Sequence, residues 1–226
     1  GFSLLELLVV LAVMGVMMGV LGFSILGNSS SNLADTQRML ISYLQKTRAL
    51  AVASGLETRI IVFAEGANVE KYLRYAQIVT LDENKSDQWL IRDNGISLPQ
   101  DIWFISDSVE SANSDWPRDG ECVWSASEQD EDFRLSFVKS NSGDKKVFQE
   151  TVEGDRFLYL KCTPNGNFSS SSYPKMPKLV FAAGRLIPSP TGDLFPSFTN
   201  ERQIAGVQIQ PYGGILSLDS QDFTYD

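Results

Sequence analysis

Residues 1–26 read GFSLLELLVVLAVMGVMMGVLGFSIL, and this stretch decides how the rest of the chain is interpreted. No charged residue stands between Glu6 and Asp35. The run from Leu7 to Leu26 supplies about 20 mostly apolar residues, which at about 1.5 Å each match a hydrocarbon core of about 30 Å. We expect this run to form a transmembrane helix, although the mean hydropathy of the whole chain, −0.09, is that of a soluble protein.

The apolar run differs from a secretory signal peptide in three ways. It has no charged segment ahead of it, it is too long, and no small-residue cleavage site follows it. We therefore expect it to remain in the mature protein. Within it, Gly15 and Gly19 form a small-xxx-small pair, with Gly22 close behind, and such spacing lets helices approach closely in lipid.

The segment Leu33–Ser54 has the pattern of an amphipathic helix. Its apolar residues recur at helical spacings, Asn32 can cap its start, and Gly55 stands where a C-cap glycine belongs. The stretch ahead of it, Gly27–Asn32, has poor helix propensity that sums to roughly 3–4 kcal/mol relative to alanine. We therefore expect a break in the long helix between Gly22 and Asn32.

From Gly55 onward the pattern predicts β-strands, rich in β-branched and aromatic residues and separated by turn-forming residues. These strands are Glu57–Ala64, Lys71–Leu81, Gln88–Arg92, Ile102–Ile105, Phe133–Lys139, Arg156–Cys162, Lys178–Ile187 and Gln203–Leu218. The predicted fold is α+β: a long N-terminal α-helix, with a transmembrane half and an amphipathic half, packed on an antiparallel β-rich globular head. The predicted domains are residues 1–27, 28–55 and 56–226.

Composition excludes several classes of function. The net charge is −9 and no segment is strongly basic, which argues against nucleic-acid binding. The chain has no histidine, so the commonest general base and a common metal ligand are missing. It also has no GxxxxGK nucleotide loop. We expect no enzymatic activity, no cofactor and no metal. The acidic run Glu128–Asp132 lacks the spacing of a calcium loop and is expected to be solvated surface.

The residues ahead of the apolar run, Gly1-Phe2-Ser3-Leu4-Leu5-Glu6, resemble the processing motif of type IV prepilins. The resemblance implies that Gly1 is the last leader residue and that Phe2 becomes the methylated N-terminus. It also implies that Glu6 pairs with the α-amine of a neighbouring subunit and so sets the register of a filament. The presence of Gly1 departs from this pattern and leaves the first mature residue open.

The end of the amphipathic helix and the following strand, QKTRALAVASGLETRIIVF (residues 45–63), resemble minor pseudopilins of the H type from type II secretion and their minor-pilin relatives. A Leu98-Pro99 step, a Pro164-Asn165-Gly166 turn and a Gly213-Gly214 pair follow in the order of that family. The resemblance implies partners: identical or related pilin subunits, a prepilin peptidase and an assembly machinery. It implies an inner-membrane location before assembly and a periplasmic or extracellular filament afterwards.

The two cysteines, Cys122 and Cys162, fall in the region that this resemblance places outside the cytoplasm. In an oxidising compartment we expect them to form a disulfide, which would stabilise the head by about 4 kcal/mol in the chain-entropy model. Two unrelated buried thiols are the alternative.

Three functions remain open after these observations. The leading one is a structural pilin or pseudopilin subunit that polymerises into a type IV pilus-like filament. The second is a minor pseudopilin that primes or caps a type II secretion pseudopilus. The third is a membrane-anchored adhesin or binding module with a ligand surface of exposed aromatic residues, Trp89, Trp103, Trp116 and Trp124. Their position in and beside strands favours a place in the core instead.

Overall fold

A computed structural model describes residues 29–65, 68–105, 133–139, 146–169, 178–188, 194–198, 202–210 and 213–223. The described chain consists of one α-helix, fourteen strands and a short 3-10 helix, Ser220–Phe223. The helix is α1 (Ser29–Ser54). The strands are β1 (Thr58–Phe63), β2 (Tyr75–Asp82), β3 (Lys85–Ile91), β4 (Ile96–Ser97), β5 (Ile102–Phe104), β6 (Arg134–Lys139), β7 (Lys146–Glu150), β8 (Asp155–Cys162), β9 (Phe168–Ser169), β10 (Lys178–Ala183), β11 (Arg185–Pro188), β12 (Leu194–Ser197), β13 (Ile204–Ile209) and β14 (Ile215–Leu218).

Helix α1 begins earlier than predicted and ends where predicted. Ser29–Asn32 are helical despite their poor propensity, so this part of the expected break does not interrupt the helix; residues 22–28 lie outside the described residues. At the other end, Gly55 has a φ of 66° and donates its N–H to the Ala51 carbonyl at 2.9 Å. Glycine adopts this left-handed conformation without a Cβ penalty, so it ends the helix.

Six strands of the larger sheet close into an antiparallel ring in the order β1, β2, β3, β7, β6 and β8. Strand β1 pairs with β2 on one side, where Ile60 faces Ile78, and with β8 on the other, where Ile60 faces Leu160. Strand β6 joins β7 to β8 on the far side. Every strand of the ring pairs with two neighbours, so none of these six strands is an open edge of the sheet. Strands β4 and β9 extend this sheet.

The ring encloses its own hydrophobic core. Alternate residues of a strand face opposite sides, so Ile61 and Phe63 of β1 point into the ring while Ile60 and Val62 point towards α1. Aromatic side chains fill the interior; the Phe63 and Phe157 rings, for example, meet edge to face at 5.5 Å. The enclosed cluster is Ile61, Phe63, Val79, Trp89, Phe133, Leu135, Phe157 and Tyr159.

A second antiparallel sheet, in the order β14, β13, β10 and β5, completes the head, with the hairpin β11–β12 beside it. Helix α1 contacts β13 and β10 of this sheet and β1 and β8 of the ring. The main core therefore joins the helix to both sheets. Its most deeply buried side chains include Leu44 of α1, Phe104 of β5 and Phe181 of β10.

The predicted fold class, α+β with a long N-terminal α-helix packed on an antiparallel head, is wrong. The described chain is mainly β, and its only α-helix has 26 residues. None of the described helices is both long enough and apolar enough to cross a membrane. The physical reason is that α1 is apolar on one stripe only, since its sequence also carries Asp35, Arg38 and Lys46. The apolar run Leu7–Leu26 lies outside the described residues.

Candidate functional site

All six residues that the sequence assigns to processing, register and helix packing lie outside the described residues, and their roles stay predictions. They are Gly1, Phe2, Glu6, Gly15, Gly19 and Gly22. The described chain does show how α1 is held on the head. We call the surface of the head that contacts α1 the helix seat. It includes Gly206 and Leu218 of the second sheet, Asp93 beside the ring, and the turn residues Gly166 and Gly213. It is the candidate functional site because the predicted assembly segment precedes α1 in the chain.

The apolar part of the helix seat receives one stripe of α1. Leu33, Leu40, Leu44 and Ala51 are 7%, 2%, 0% and 0% exposed. Burying a leucine side chain stabilises a fold by about 1.5–3 kcal/mol. Two threonines on the same face are also buried, and each hydroxyl donates to a backbone carbonyl one turn earlier: Thr36 to Asn32 and Thr47 to Tyr43. The stripe is therefore packed without unpaired hydroxyl groups.

Gln37 fastens the first half of α1 to the second sheet. Its Nε2 donates to the Gly206 carbonyl of β13 at 2.7 Å and to the Leu218 carbonyl of β14 at 2.9 Å. A glutamine amide has two N–H donors, so both contacts can be made at once. Gln37 was not among the residues predicted to be functional. The signal was present, because a glutamine stands four positions after Leu33 on a mainly apolar stripe.

Asp93 fastens the second half of α1 to the ring. Its Oδ1 accepts from the backbone N–H groups of Ile78 at 3.2 Å and Gly95 at 3.1 Å, and its Oδ2 accepts from Lys46 Nζ of α1 at 3.1 Å. Tyr43 of α1 lies nearby and donates to the Ala76 carbonyl. Burial first, and then the Asp93 carboxylate, raise the pKa of Tyr43. Tyr43 is therefore a neutral hydrogen-bond donor at ordinary pH.

Arg48 of α1 lies against two glycine turns. Its Nη1 donates to the Gly213 carbonyl at 3.1 Å. A Cβ on Gly213 would collide with the Arg48 guanidinium, and one on Gly166 would stand 3.0 Å from Arg48 Nε. Both glycines have positive φ, 83° and 78°. The Pro-Asn-Gly turn and the Gly-Gly pair of the sequence analysis thus meet at one helix residue, because only glycine leaves room for its side chain there.

Cys162, at the end of β8, faces this side of the ring. Burial raises the pKa of its thiol to about 11, and the nearby Arg48 charge offsets only part of that effect. Its Sγ donates to the Thr163 carbonyl at 3.8 Å. The structure describes Cys162 as a buried thiol. Its expected partner, Cys122, lies outside the described residues, so the disulfide stays a prediction.

A polar cluster separate from the helix seat lies inside the ring around Arg59 of β1. Its guanidinium carbon lies 4.3 Å from the centre of the Trp89 ring, 4.7 Å from that of Phe133 and 4.1 Å from that of Tyr159. Arg59 Nε also pairs with Glu57 at 2.8 Å, and Glu57 pairs with Lys161 at 2.7 Å. Cation–π contacts strengthen when the cation is removed from water. Because Arg59 contacts three aromatic rings and a carboxylate, we interpret the cluster as a structural one that fills part of the ring.

The described residues offer little for binding or chemistry beyond these contacts. Trp89 and Trp103 are 2% and 5% exposed, so neither belongs to an aromatic ligand surface; Trp116 and Trp124 lie outside the described residues. No group of three or more metal-ligating side chains occurs in the described part of the chain. The acidic run Glu128–Asp132 is outside it. The arrangement can hold a helix rigidly on a head.

Comparisons with known proteins give one structural similarity. No protein-family model matches the chain, and no curated protein sequence matches it. Among solved structures, the chain is matched to the minor pseudopilin EpsH from the Type 2 Secretion System of Vibrio cholerae, at 11% identity and a TM-score of 0.38. The match covers 83% of this chain and 97% of that one. A TM-score below 0.5 does not establish a common fold.

Proposed function

We propose that this chain is a structural subunit, a pilin or pseudopilin, that enters the inner membrane as a prepilin and polymerises into a type IV pilus-like filament. The observation that carries the proposal is the order of residues 1–26: the GFSLLE motif, then a mostly apolar run without charge from Leu7 to Leu26. The chain leads from this run into α1, whose stripe is buried on the head. In this proposal, the apolar segment mediates assembly, and the head forms the exposed part of the subunit.

The proposed mechanism depends on Glu6. A carboxylate within an apolar segment costs roughly 2.5–3.5 kcal/mol at the bilayer centre and less near an interface. In a filament it needs a cation, and the methylated α-amine of Phe2 from a neighbouring subunit would provide one. Only one axial position of the neighbour satisfies both charges, so the pair would set the register. Gly15, Gly19 and Gly22 would let adjacent segments pack closely.

The helix seat would transmit a movement of α1 during assembly to the head. Gln37 in the first half of α1, and Lys46 and Arg48 in its second half, bind the helix to both sheets and their turns. A displacement of α1 would therefore move the head with it. The proposal assigns no catalytic step to the chain, which has no histidine. A prepilin peptidase and an assembly machinery would be its partners before polymerisation.

The test is imaging of fibres from cells that express the precursor together with its own assembly machinery. We expect Glu6→Ala to remain inserted in the membrane but to form few or short filaments, because the register pair is lost. Glu70→Ala is the matched control, since Glu70 is an exposed acid of the head. Filaments of normal number and length from Glu6→Ala would refute the register role.

The same micrographs separate the alternatives. Long surface fibres indicate a pilus subunit, whereas short assemblies that require a type II secretion machinery indicate a pseudopilin. Monomers of the unaltered chain with affinity for a ligand would indicate a binding module and overturn the proposal.

A further inference from the structure

We propose that Asn84 is an acceptor site for an N-linked oligosaccharide. Asn84-Lys85-Ser86 has the form Asn-x-Ser with x other than proline, which is the acceptor pattern for N-glycosylation. The chain contains this pattern at two further places, Asn28-Ser29-Ser30 and Asn167-Phe168-Ser169. Short patterns recur by chance, and the structure around each one distinguishes an accessible acceptor from an inaccessible one. Asn28 lies outside the described residues.

Asn84 lies at the tip of the hairpin that joins β2 to β3. Glu83, Asn84, Lys85, Ser86 and Asp87 are all exposed. The Asn84 backbone N–H donates to Asp82 Oδ1 at 2.9 Å, a turn in which the aspartate side chain takes the place of a backbone acceptor. Within the described residues, the Asn84 carboxamide has no hydrogen-bond partner. Modifying it would therefore remove no contact that holds the turn.

The hydroxyl of this acceptor pattern is also accessible. Asp82 pairs with Lys85, but Leu81 pairs with Trp89, so the register shifts and Ser86, Asp87 and Gln88 have no partner on β2. Such an irregularity leaves residues out of the ladder and bends the strand. A transferase must hold the carboxamide and the hydroxyl two residues further along together. The Asn84 hairpin can present both without breaking its pairing with β2.

Asn167 shows what an unsuitable site looks like in the same chain. Its backbone carbonyl accepts from the Thr163 N–H at 2.9 Å, and its N–H donates to Thr163 Oγ1 at 3.3 Å. Ser169 pairs with Lys161, and Phe168 pairs with Cys162 and packs against the main core. A transferase could engage this pattern only by detaching β9 from β8. The structure therefore favours Asn84 over Asn167.

The reaction needs a glycosyl donor, which we take to be an oligosaccharide linked to a polyprenyl diphosphate. The Asn84 Nδ2 forms a bond to C1 of the first sugar, and the bond from C1 to the phosphate oxygen breaks. The lipid diphosphate leaves with the electron pair, and the amide loses one proton to a base of the transferase. The product carries a bulky, hydrated group at the hairpin tip. The inference rests on the proposed location of the head outside the cytoplasm, where such a donor would be used.

The experiment is mass spectrometry of the full chain purified from the organism that encodes it. We expect the peptide with Asn84 to carry an oligosaccharide and the peptide with Asn167 to carry none. Asn84→Gln and Ser86→Ala should lose the added mass completely, while Ser86→Thr should retain it because threonine keeps the hydroxyl. Asn167→Gln is the matched control and should leave the mass unchanged. An unmodified Asn84, or a glycan on Asn167 instead, would overturn the inference.

Protease treatment of spheroplasts distinguishes this failure from failure of the proposed function. A digested head with an unmodified Asn84 would overturn the glycan site and leave the proposed location intact. A protected head with an unmodified Asn84 would contradict both. Neither outcome depends on whether filaments form.

Discussion

Replacing Asp93 with alanine should lower the free energy of unfolding of the head. The loss should be larger than the Asp93–Lys46 ion pair alone can explain. The substitution leaves the N–H of Ile78, a fully buried residue, without its acceptor, which costs about 1–3 kcal/mol. Loss of the Gly95 bond adds about 0.5–1.5 kcal/mol. The Lys46 side chain is 48% exposed, so that ion pair contributes only about 0–1 kcal/mol. We expect a total loss of about 3 kcal/mol in the free energy of unfolding.

The assay is urea unfolding of the full chain in detergent, followed by the fluorescence of its tryptophans, which include the buried Trp89. A loss of about 3 kcal/mol should lower the urea midpoint by about 1 M. Asp93→Asn keeps a carbonyl acceptor and should lose about 1 kcal/mol, and Lys46→Ala should lose at most about 1 kcal/mol. The reasoning is wrong if Lys46→Ala costs as much as Asp93→Ala, because the ion pair would then dominate.

Three further predictions concern the glycine turns and the cysteines. Gly213→Ala should lower the free energy of unfolding by about 2–3 kcal/mol, because its φ is positive and the new Cβ also displaces the Arg48 guanidinium; Gly214→Ala is the control, since its φ is not positive and its nearest contact is likewise a flexible side chain, and equal losses would contradict the backbone argument. Non-reducing peptide mapping should find Cys122 joined to Cys162. In the reduced protein, the raised pKa of Cys162 favours the neutral thiol in the folded state, so unfolding free energy should fall between about pH 9 and 11; a flat profile would show that the thiol is not buried.

Local patterns in the sequence located most of the secondary structure. The predicted strand Glu57–Ala64 is β1, and Gly55 ends α1 through its own backbone conformation. Such signals depend on neighbours within one or two turns of chain, so they can be read without the fold. The predicted strand Lys178–Ile187 is interrupted at Gly184, where a Cβ would meet the Ser197 carbonyl oxygen. That interruption depends on a distant residue, and periodicity cannot show it.

Local sequence patterns could predict neither the fold class nor the helix seat. The long predicted helix was a continuation of α1 into an apolar run, and propensity alone does not decide where a helix stops. Strand β7, Lys146–Glu150, was missed because it is short and mainly polar at its ends, yet it pairs with both β3 and β6. Gln37 and Asp93 are ordinary polar residues in the sequence, and their importance comes from the carbonyl and N–H groups that face them.

The sequence by itself determined where the amphipathic helix ends, most of the long strands, the acidic charge and the lack of histidine. Tertiary structure alone decided that β1 lies between β2 and β8, that six strands close into a ring, and that two glycine turns meet at Arg48. The division has a physical cause. Periodicity reports which face of an element is apolar, whereas ring closure pairs residues as far apart as Val62 and Leu158. Their pairing is selected by the packing of the complete core.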